Sequence, residues 1–151
     1  PAEPLAKHLH HPQVGVRRAV TYALSRIITP DQEKGTLLPL LKTIDDSDPA
    51  VQLNVIHALA ILKREEGARA ILERTLFSPN TDVRLASILA LASLKYEPAL
   101  GPLIQCLKDG PEIINLRAAW ALEEITGRKY GADADRWQQW WQLHKEKFRH
   151  G

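Results

Sequence analysis

The stretch VRLASILALASL, from Val83 to Leu94, recurs along the chain and limits its fold more than any other feature. The Ala-Leu pair inside it occupies the same position in four successive segments of the 151-residue chain, each time seven positions after a Val or Ile. The four pairs are Ala23-Leu24, Ala58-Leu59, Ala90-Leu91 and Ala121-Leu122, and the aliphatic residues before them are Val16, Val51, Val83 and Ile114. A unit of roughly thirty-odd residues that repeats in this way predicts a solenoid.

Each repeat is predicted to consist of two helices joined by a turn. The predicted bounds of the repeats are about 1–34, 35–66, 67–97 and 98–127. All four repeats belong to one predicted domain, 1–151. In the second repeat, the turn Asp45–Asp48 followed by Pro49 is typical of a helix start, since an acidic cap precedes proline at the first helical position. Nothing in the chain alternates with the two-residue period of a strand over a useful length. The predicted fold class is therefore all-α.

The end of the chain differs from the repeats. After the loop at 127–133, a final helix is predicted over about 133–148, with Asp133 or Asp135 as its cap. Its large apolar residues recur at helical spacing, and they are Trp137, Trp140, Trp141 and Phe148. A terminal repeat has no neighbour on one side, so a Trp-rich helix here is predicted to cap the apolar flank of the fourth repeat. A ligand-binding aromatic box is the alternative interpretation.

The segments LLPLLKTIDDSDPAVQLNVIHALAIL and ARAILERTLFSPNTDVRLASILALASL resemble HEAT repeats, including the short kind found in phycobilisome-lyase-type proteins. The ending ITGRKYGADADRWQQWW resembles the closing segment of many bacterial HEAT-repeat proteins. The resemblance implies an α-solenoid, a right-handed superhelix of four helix pairs, whose second helices line the concave side. It also implies an Arg one residue after each Val anchor, whereas the chain has Arg17, Gln52, Arg84 and Asn115. Any continuous Asp–Arg ladder is thus expected to be interrupted.

Residues that point away from the anchors on the second helices form what we call the outward rows. At about 100° per residue, offsets of 2, 3, 6 and 10 from the anchor lie opposite the buried rows. The outward residues predicted to bind a partner on the concave face are Arg18, Tyr22, Arg26, Leu53, His57, Leu85, Leu89, Leu116, Arg117 and Trp120. Two interpretations stay open: a groove for an amphipathic segment of another protein, or helices packed on both sides against a neighbouring domain.

Composition and motifs weigh against several other functions. Lys and Arg exceed Asp and Glu by only two, which argues against binding nucleic acid. The longest apolar run, Leu85–Leu94, is far shorter than the ~20 residues that a membrane span needs. The cluster His8, His10 and His11 has no second set of ligands nearby, so we predict no metal. Cys106 is predicted to be a buried apolar residue without an activating partner.

The sequence therefore predicts a non-enzyme without a cofactor, namely a scaffold that binds another protein or peptide segment. The resemblance to phycobilisome-lyase repeats implies an alternative, a lyase or chaperone acting on a bilin chromophore. Nucleic-acid binding is a third and less favoured class. The chain has no Met, even at its start, so we expect either a processed chain or a fragment of a longer one, in which further repeats or domains would precede Pro1.

Overall fold

The structure, a computed structural model, describes residues 2–32 and 34–148. Pro1, Glu33 and residues 149–151, which the predicted domain includes, lie outside the described residues. Within the described ranges the chain folds into helices joined by turns and loops, and none of those residues forms a β-strand. Its α-helices, α1 to α9 in chain order, are Ala2–Ala6, Val14–Ile27, Leu37–Thr43, Pro49–Leu62, Glu65–Arg74, Thr81–Ser93, Leu100–Cys106, Glu112–Thr126 and Ala134–His144. The all-α prediction is thus confirmed.

The helix bounds agree with the predicted ones to within a few residues. Helix α4 begins at Pro49 because the Asp48 carboxylate accepts a hydrogen bond of 3.1 Å from the backbone N–H of Val51. It ends before Lys63, which adopts a left-handed φ of 56°. A 3₁₀ turn over Glu97–Ala99 precedes α7. The last helix, predicted over about 133–148, ends at His144, and a second 3₁₀ turn over Lys145–Phe148 follows it.

The chain forms two compact units, residues 1–90 and 91–151, which we call the N-terminal and C-terminal units. In the N-terminal unit each first helix packs on its second helix, α1 on α2 and α3 on α4. Like helices of successive pairs also touch, since α2 packs against α4 and α3 against α5. This unit therefore has two layers of helices. In the C-terminal unit, α7 packs against both α8 and α9.

The leucine of each recurring Ala-Leu pair is completely buried, and these residues are Leu24, Leu59, Leu91 and Leu122. The aliphatic anchors of the second to fourth repeats, Val51, Val83 and Ile114, are equally buried. The first repeat is looser. Val16 is only half-buried, and Ile27, three residues after Leu24, is 38% exposed. Helix α2 packs against α1 and α4.

The position after each anchor has one structural role in all four repeats, although its residue type changes. Its side chain donates a hydrogen bond to a backbone carbonyl at the end of the preceding helix or in the turn that follows it. Arg17 donates to His11, Gln52 to Ile44, Arg84 to Leu76 and Asn115 to Cys106, at N···O distances between 2.7 and 3.1 Å. Carbonyls at helix C-termini lack partners within the helix, so an amide satisfies them as well as a guanidinium.

Two arginines connect the first repeat to the turn of the second. The Arg17 Nε lies 2.8 Å from Asp46 Oδ2, and the Arg18 guanidinium lies 2.6 and 2.9 Å from the two oxygens of Asp48. Asp46 also accepts a hydrogen bond from the backbone N–H of Asp48. The acidic turn thus joins two repeats and caps α4. The amides of Gln52 and Asn115 carry no charge, so no Arg–carboxylate pair forms at those two positions.

The carboxylate of Asp48 should make stability depend on pH. The hydrogen bonds from Arg18 lower the pKa of Asp48 from 3.8 to about 2. A carboxylate whose pKa is lowered by folding stabilises the folded state above its unfolded pKa, and this contribution is lost as the pH falls through its folded pKa. Asp48→Asn keeps an N-cap side chain but removes the charge. We expect Asp48→Asn to have a lower free energy of unfolding than the unmodified chain near neutral pH. This difference should disappear as the pH falls from the unfolded pKa of Asp48 to about 2.

Urea denaturation at a series of pH values measures this difference. Asp48→Ala is the control, since it removes the cap as well as the charge and should therefore be about 1 kcal/mol less stable than Asp48→Asn at every pH where the protein folds. A gap between the unmodified chain and Asp48→Asn that does not change with pH would contradict the assignment.

Helix α9 is the Trp-rich helix predicted to cap the solenoid, and Asp133 is its N-cap, accepting a 3.0 Å hydrogen bond from the N–H of Arg136. It packs against α7. Trp137 is fully buried and its indole N–H donates to the Gly131 carbonyl at 2.8 Å. Trp140 is 7% exposed and lies edge-on to Trp137, with ring centroids 5.8 Å apart. These two residues form an aromatic core for the end of the chain.

Trp137→Ala should therefore destabilise the chain by about 3 to 5 kcal/mol, because it removes a buried indole and leaves a cavity. Leu143, on the same helix, is 81% exposed. Leu143→Ala should change the free energy of unfolding by no more than about 0.5 kcal/mol. Urea denaturation followed by circular dichroism checks both values. Equal stability of the two variants would show that the Trp residues do not support the fold.

Candidate functional site

Helix α2 places three predicted binding residues on its outward rows: Arg18, Tyr22 and Arg26. All three are exposed, and Tyr22 has 58% of its surface accessible. The buried residues of α2 include Val20 and Leu24. Arg18 is held by Asp48, and this hydrogen-bonded contact raises the pKa of Arg18 above its ordinary value. The guanidinium is therefore fixed in position, whereas Arg26 makes no ion pair or side-chain hydrogen bond with the described residues.

Helix α4 contributes Leu53 and His57. Leu53 is half-buried and His57 is exposed. The sequence of the helix, PAVQLNVIHALAIL, contains no Asp, Glu, Lys or Arg. Asn54, beside Leu53, donates a 3.1 Å hydrogen bond to the Thr21 hydroxyl, which ties the outward side of α4 to α2. The structure therefore brings the α2 and α4 residues together on adjacent packed helices, with apolar and cationic side chains on their outward rows.

Helix α6 presents Leu85 and Leu89. Leu85 is half-buried and Leu89 is 43% exposed, although leucine is among the residues most often found inside proteins. The opposite rows of α6 are occupied by buried residues. Among them, Ser87 donates a 2.6 Å hydrogen bond to the Thr75 hydroxyl at the end of α5. That contact fixes the rotation of the helix and so leaves Leu89 outward.

Helix α8, in the C-terminal unit, carries Leu116, Arg117 and Trp120. Leu116 is 51% exposed, Trp120 is 38% exposed, and Arg117 is exposed as well. Sequence reasoning missed Ile113, which is 41% exposed. It lies three and seven residues before Leu116 and Trp120, so all three share one side of α8. The sequence could have identified Ile113, because a residue one position before the anchor points in nearly the same direction as the outward rows.

The remaining candidates have structural roles. The His11 Nδ1 accepts a 3.1 Å hydrogen bond from the backbone N–H of Gln13, at the start of α2. Cys106 is fully buried. Across the described parts of the chain, no three His, Cys, Asp or Glu side chains come close enough together to hold a metal ion. Over those same residues, no helix combines the length and apolar character needed to cross a membrane.

Residues 36–123, more than half of the chain, match the family model for HEAT repeats. The chain therefore belongs to the HEAT-repeat family, and its paired helices are those of a HEAT-like α-solenoid. None of the curated proteins compared with the chain matches it. Proteins of this family generally act as scaffolds that bind other proteins. The finer resemblance to phycobilisome-lyase repeats stays a prediction.

The exposure of the outward rows can be measured by thiol labelling, because the chain has a single natural cysteine and it is buried. We expect Leu89→Cys and Leu116→Cys to react with a maleimide rapidly in the native state. Leu91→Cys, a matched change at a fully buried leucine, should react only as fast as the structure opens. Protection of Leu89→Cys as strong as that of Leu91→Cys would place Leu89 in the core.

Proposed function

We propose that this protein is a non-catalytic scaffold that binds a segment of another protein on the outward rows of its second helices. One observation carries the proposal. Large apolar side chains are exposed on the second helices, in rows opposite those that build the core. Leu89, Leu116 and Trp120 are 43%, 51% and 38% exposed. Exposed apolar clusters on soluble proteins usually mark interaction surfaces.

The residue types support a protein partner. Trp, Tyr and Arg dominate the energy of protein interfaces, and the outward rows contain Trp120, Tyr22 and the arginines Arg18, Arg26 and Arg117. On α8, Ile113, Leu116 and Trp120 follow the i, i+3, i+7 spacing that faces an amphipathic partner helix. An anionic nucleic acid would instead favour clustered cations, and α4 has none.

The perturbed groups also favour a scaffold over an enzyme. The lowered pKa of Asp48 results from its hydrogen bonds to Arg18 and to the Val51 N–H. The lowered pKa of Asp31 results from the Thr29 hydroxyl, which donates to it at 2.6 Å. A helix cap, an ion pair and a loop turn account for these shifts, so neither group needs a catalytic explanation.

Polar substitutions on the outward rows should separate binding from folding. The triple variant Leu89→Gln, Leu116→Gln, Trp120→Gln should fold, because exposed substitutions change stability by only about 0.5 kcal/mol each. It should lose partner binding, since a buried aromatic anchor can cost about 2 kcal/mol or more when truncated. The matched variant Leu91→Gln, Leu122→Gln should unfold, because both positions are fully buried. A triple variant that unfolds as readily would assign the outward residues to the core.

Site-specific photocrosslinking identifies the partner in the same experiment. A benzophenone amino acid at Tyr22 or Leu116 should crosslink a protein in an extract of the source cells. The same amino acid at Glu73 on α5 or Gln105 on α7, both exposed positions on first helices, is the control. A partner crosslinked from the outward positions, missing from the controls and lost in the triple variant supports the proposal. Equal crosslinking from all positions would refute it.

A further inference from the structure

Helices α2 and α4 of the N-terminal unit lie side by side and run in the same direction. Arg18, near the start of α2, pairs with Asp48, which is the N-cap of α4. Further along both helices, Asn54 of α4 donates a hydrogen bond to the Thr21 hydroxyl of α2. Contacts from start to start and from middle to middle mean that the outward rows of the two helices are neighbours.

The charges on these two helices have one sign. Helix α2 contains three arginines and neither Asp nor Glu, and α4 contains no Asp, Glu, Lys or Arg. The acids that reach α2 come from the turn before α4. Asp46 pairs there with Arg17 at 2.8 Å, and Asp48 pairs with Arg18 at 2.6 Å. The positive charge is therefore neutralised near the beginning of α2.

Arg26, in the last turn of α2, is the arginine of this helix that makes no ion pair with the described residues. Asp31 follows it in the next loop, but the Asp31 carboxylate accepts a hydrogen bond from the Thr29 hydroxyl at 2.6 Å. The C-terminus of a helix carries the equivalent of only about half a negative charge. Part of the charge on Arg26 thus remains uncompensated and accessible, because the side chain is exposed.

Aromatic and apolar side chains lie beside this cation. Tyr22 lies four residues before Arg26 on the same side of α2 and is 58% exposed. On α4, Leu53 and Ile61 are half-buried and belong to the outward rows. They hold the same two positions after their anchor that Arg18 and Arg26 hold on α2. The surface therefore combines an apolar and aromatic area with an unpaired positive charge at one end.

We propose that the segment bound by the outward rows is an acidic amphipathic helix, whose carboxylate pairs with Arg26 and whose apolar side packs on Tyr22 and the α4 row. This inference rests on the proposed function, because it concerns the same rows. A carboxylate beside Arg26 meets no acid on α2 or α4, so its approach is not opposed by a like charge. Arg18 is less available, since two of its nitrogens already donate to Asp48.

A nucleic acid is the competing anionic occupant. Its phosphates would need several cations free to contact them. On α2 and α4 the pairs with Asp46 and Asp48 leave one arginine, Arg26, without an acid. One cation beside an apolar area fits a protein segment that carries few acids and several apolar side chains.

The test uses the full chain and two fluorescein-labelled peptides of about 18 residues, long enough to form a helix. Both peptides carry leucines at helical spacing on one side. One has glutamates beside the leucines, and the other has glutamines at the same positions. Fluorescence anisotropy at low salt should show that the glutamate peptide binds about threefold to fivefold more tightly. This preference should shrink at about 0.5 M sodium chloride, because salt screens exposed charges.

Substitutions at the two exposed arginines of α2 locate the preference. Arg26→Gln should bind both peptides equally, whereas Arg26→Lys, which keeps the charge, should retain the preference. The control is the double variant Arg18→Gln, Asp48→Asn. It removes a neutral pair, leaves the net charge unchanged and keeps a capping side chain, so it should also retain the preference. Circular dichroism verifies that each variant folds.

Binding of the glutamine peptide tests the proposed function, and the difference between the two peptides tests this inference. Equal affinity for both peptides, or a preference for glutamate that survives in the folded Arg26→Gln variant, would overturn the inference and leave the outward rows as a surface for uncharged segments. Binding of neither peptide would overturn both proposals. Displacement of the glutamate peptide by an equal concentration of a single-stranded oligonucleotide would assign the surface to nucleic acid instead.

Discussion

Burial of one leucine per repeat, on the inner side of each second helix, is the constraint on which the rest of the structure depends. Leu24, Leu59, Leu91 and Leu122 have no exposed surface. One helix pair cannot bury such a face alone, so successive pairs must stack, and each stack leaves the opposite rows outward. The same burial that creates the core therefore creates the surface available to a partner.

Backbone carbonyls at or beyond the C-terminal end of each first helix need hydrogen-bond donors. This chain meets this need with a side chain one residue after each anchor. Arg17 and Arg84 use a guanidinium, while Gln52 and Asn115 use an amide. All four positions need a side chain long enough to donate a hydrogen bond to the carbonyl. A positive charge is not needed for that hydrogen bond. Arg17 uses its remaining donors to pair with Asp46 and so links two repeats. Variation at this position thus changes the electrostatics between repeats without changing the local backbone.

The aromatic residues at the end of the chain divide into two groups with different consequences. Trp137 and Trp140 are buried and support the last helices, whereas Trp141 and Phe148 remain partly accessible. The cap and the ligand-binding box that the sequence suggested for this helix both stay predictions. Exposed aromatic rings beside a rigid aromatic core are well suited to binding, since little entropy is lost when they are contacted.

The repeat pattern alone determined the helical class, the approximate helix bounds and the rows that face inward, because burial of periodic apolar residues is a local property of an amphipathic helix. The outward direction of Leu89 and Trp120 followed from the same counting. Tertiary structure decided what periodicity cannot encode. It decided that Ile27 is exposed, since exposure depends on how many neighbouring helices are present. It decided that the Gln52 and Asn115 amides reach a backbone carbonyl as the arginines do, since that depends on the distance to the carbonyl. It also placed Gly101 against the Trp141 indole, forty residues later in the sequence.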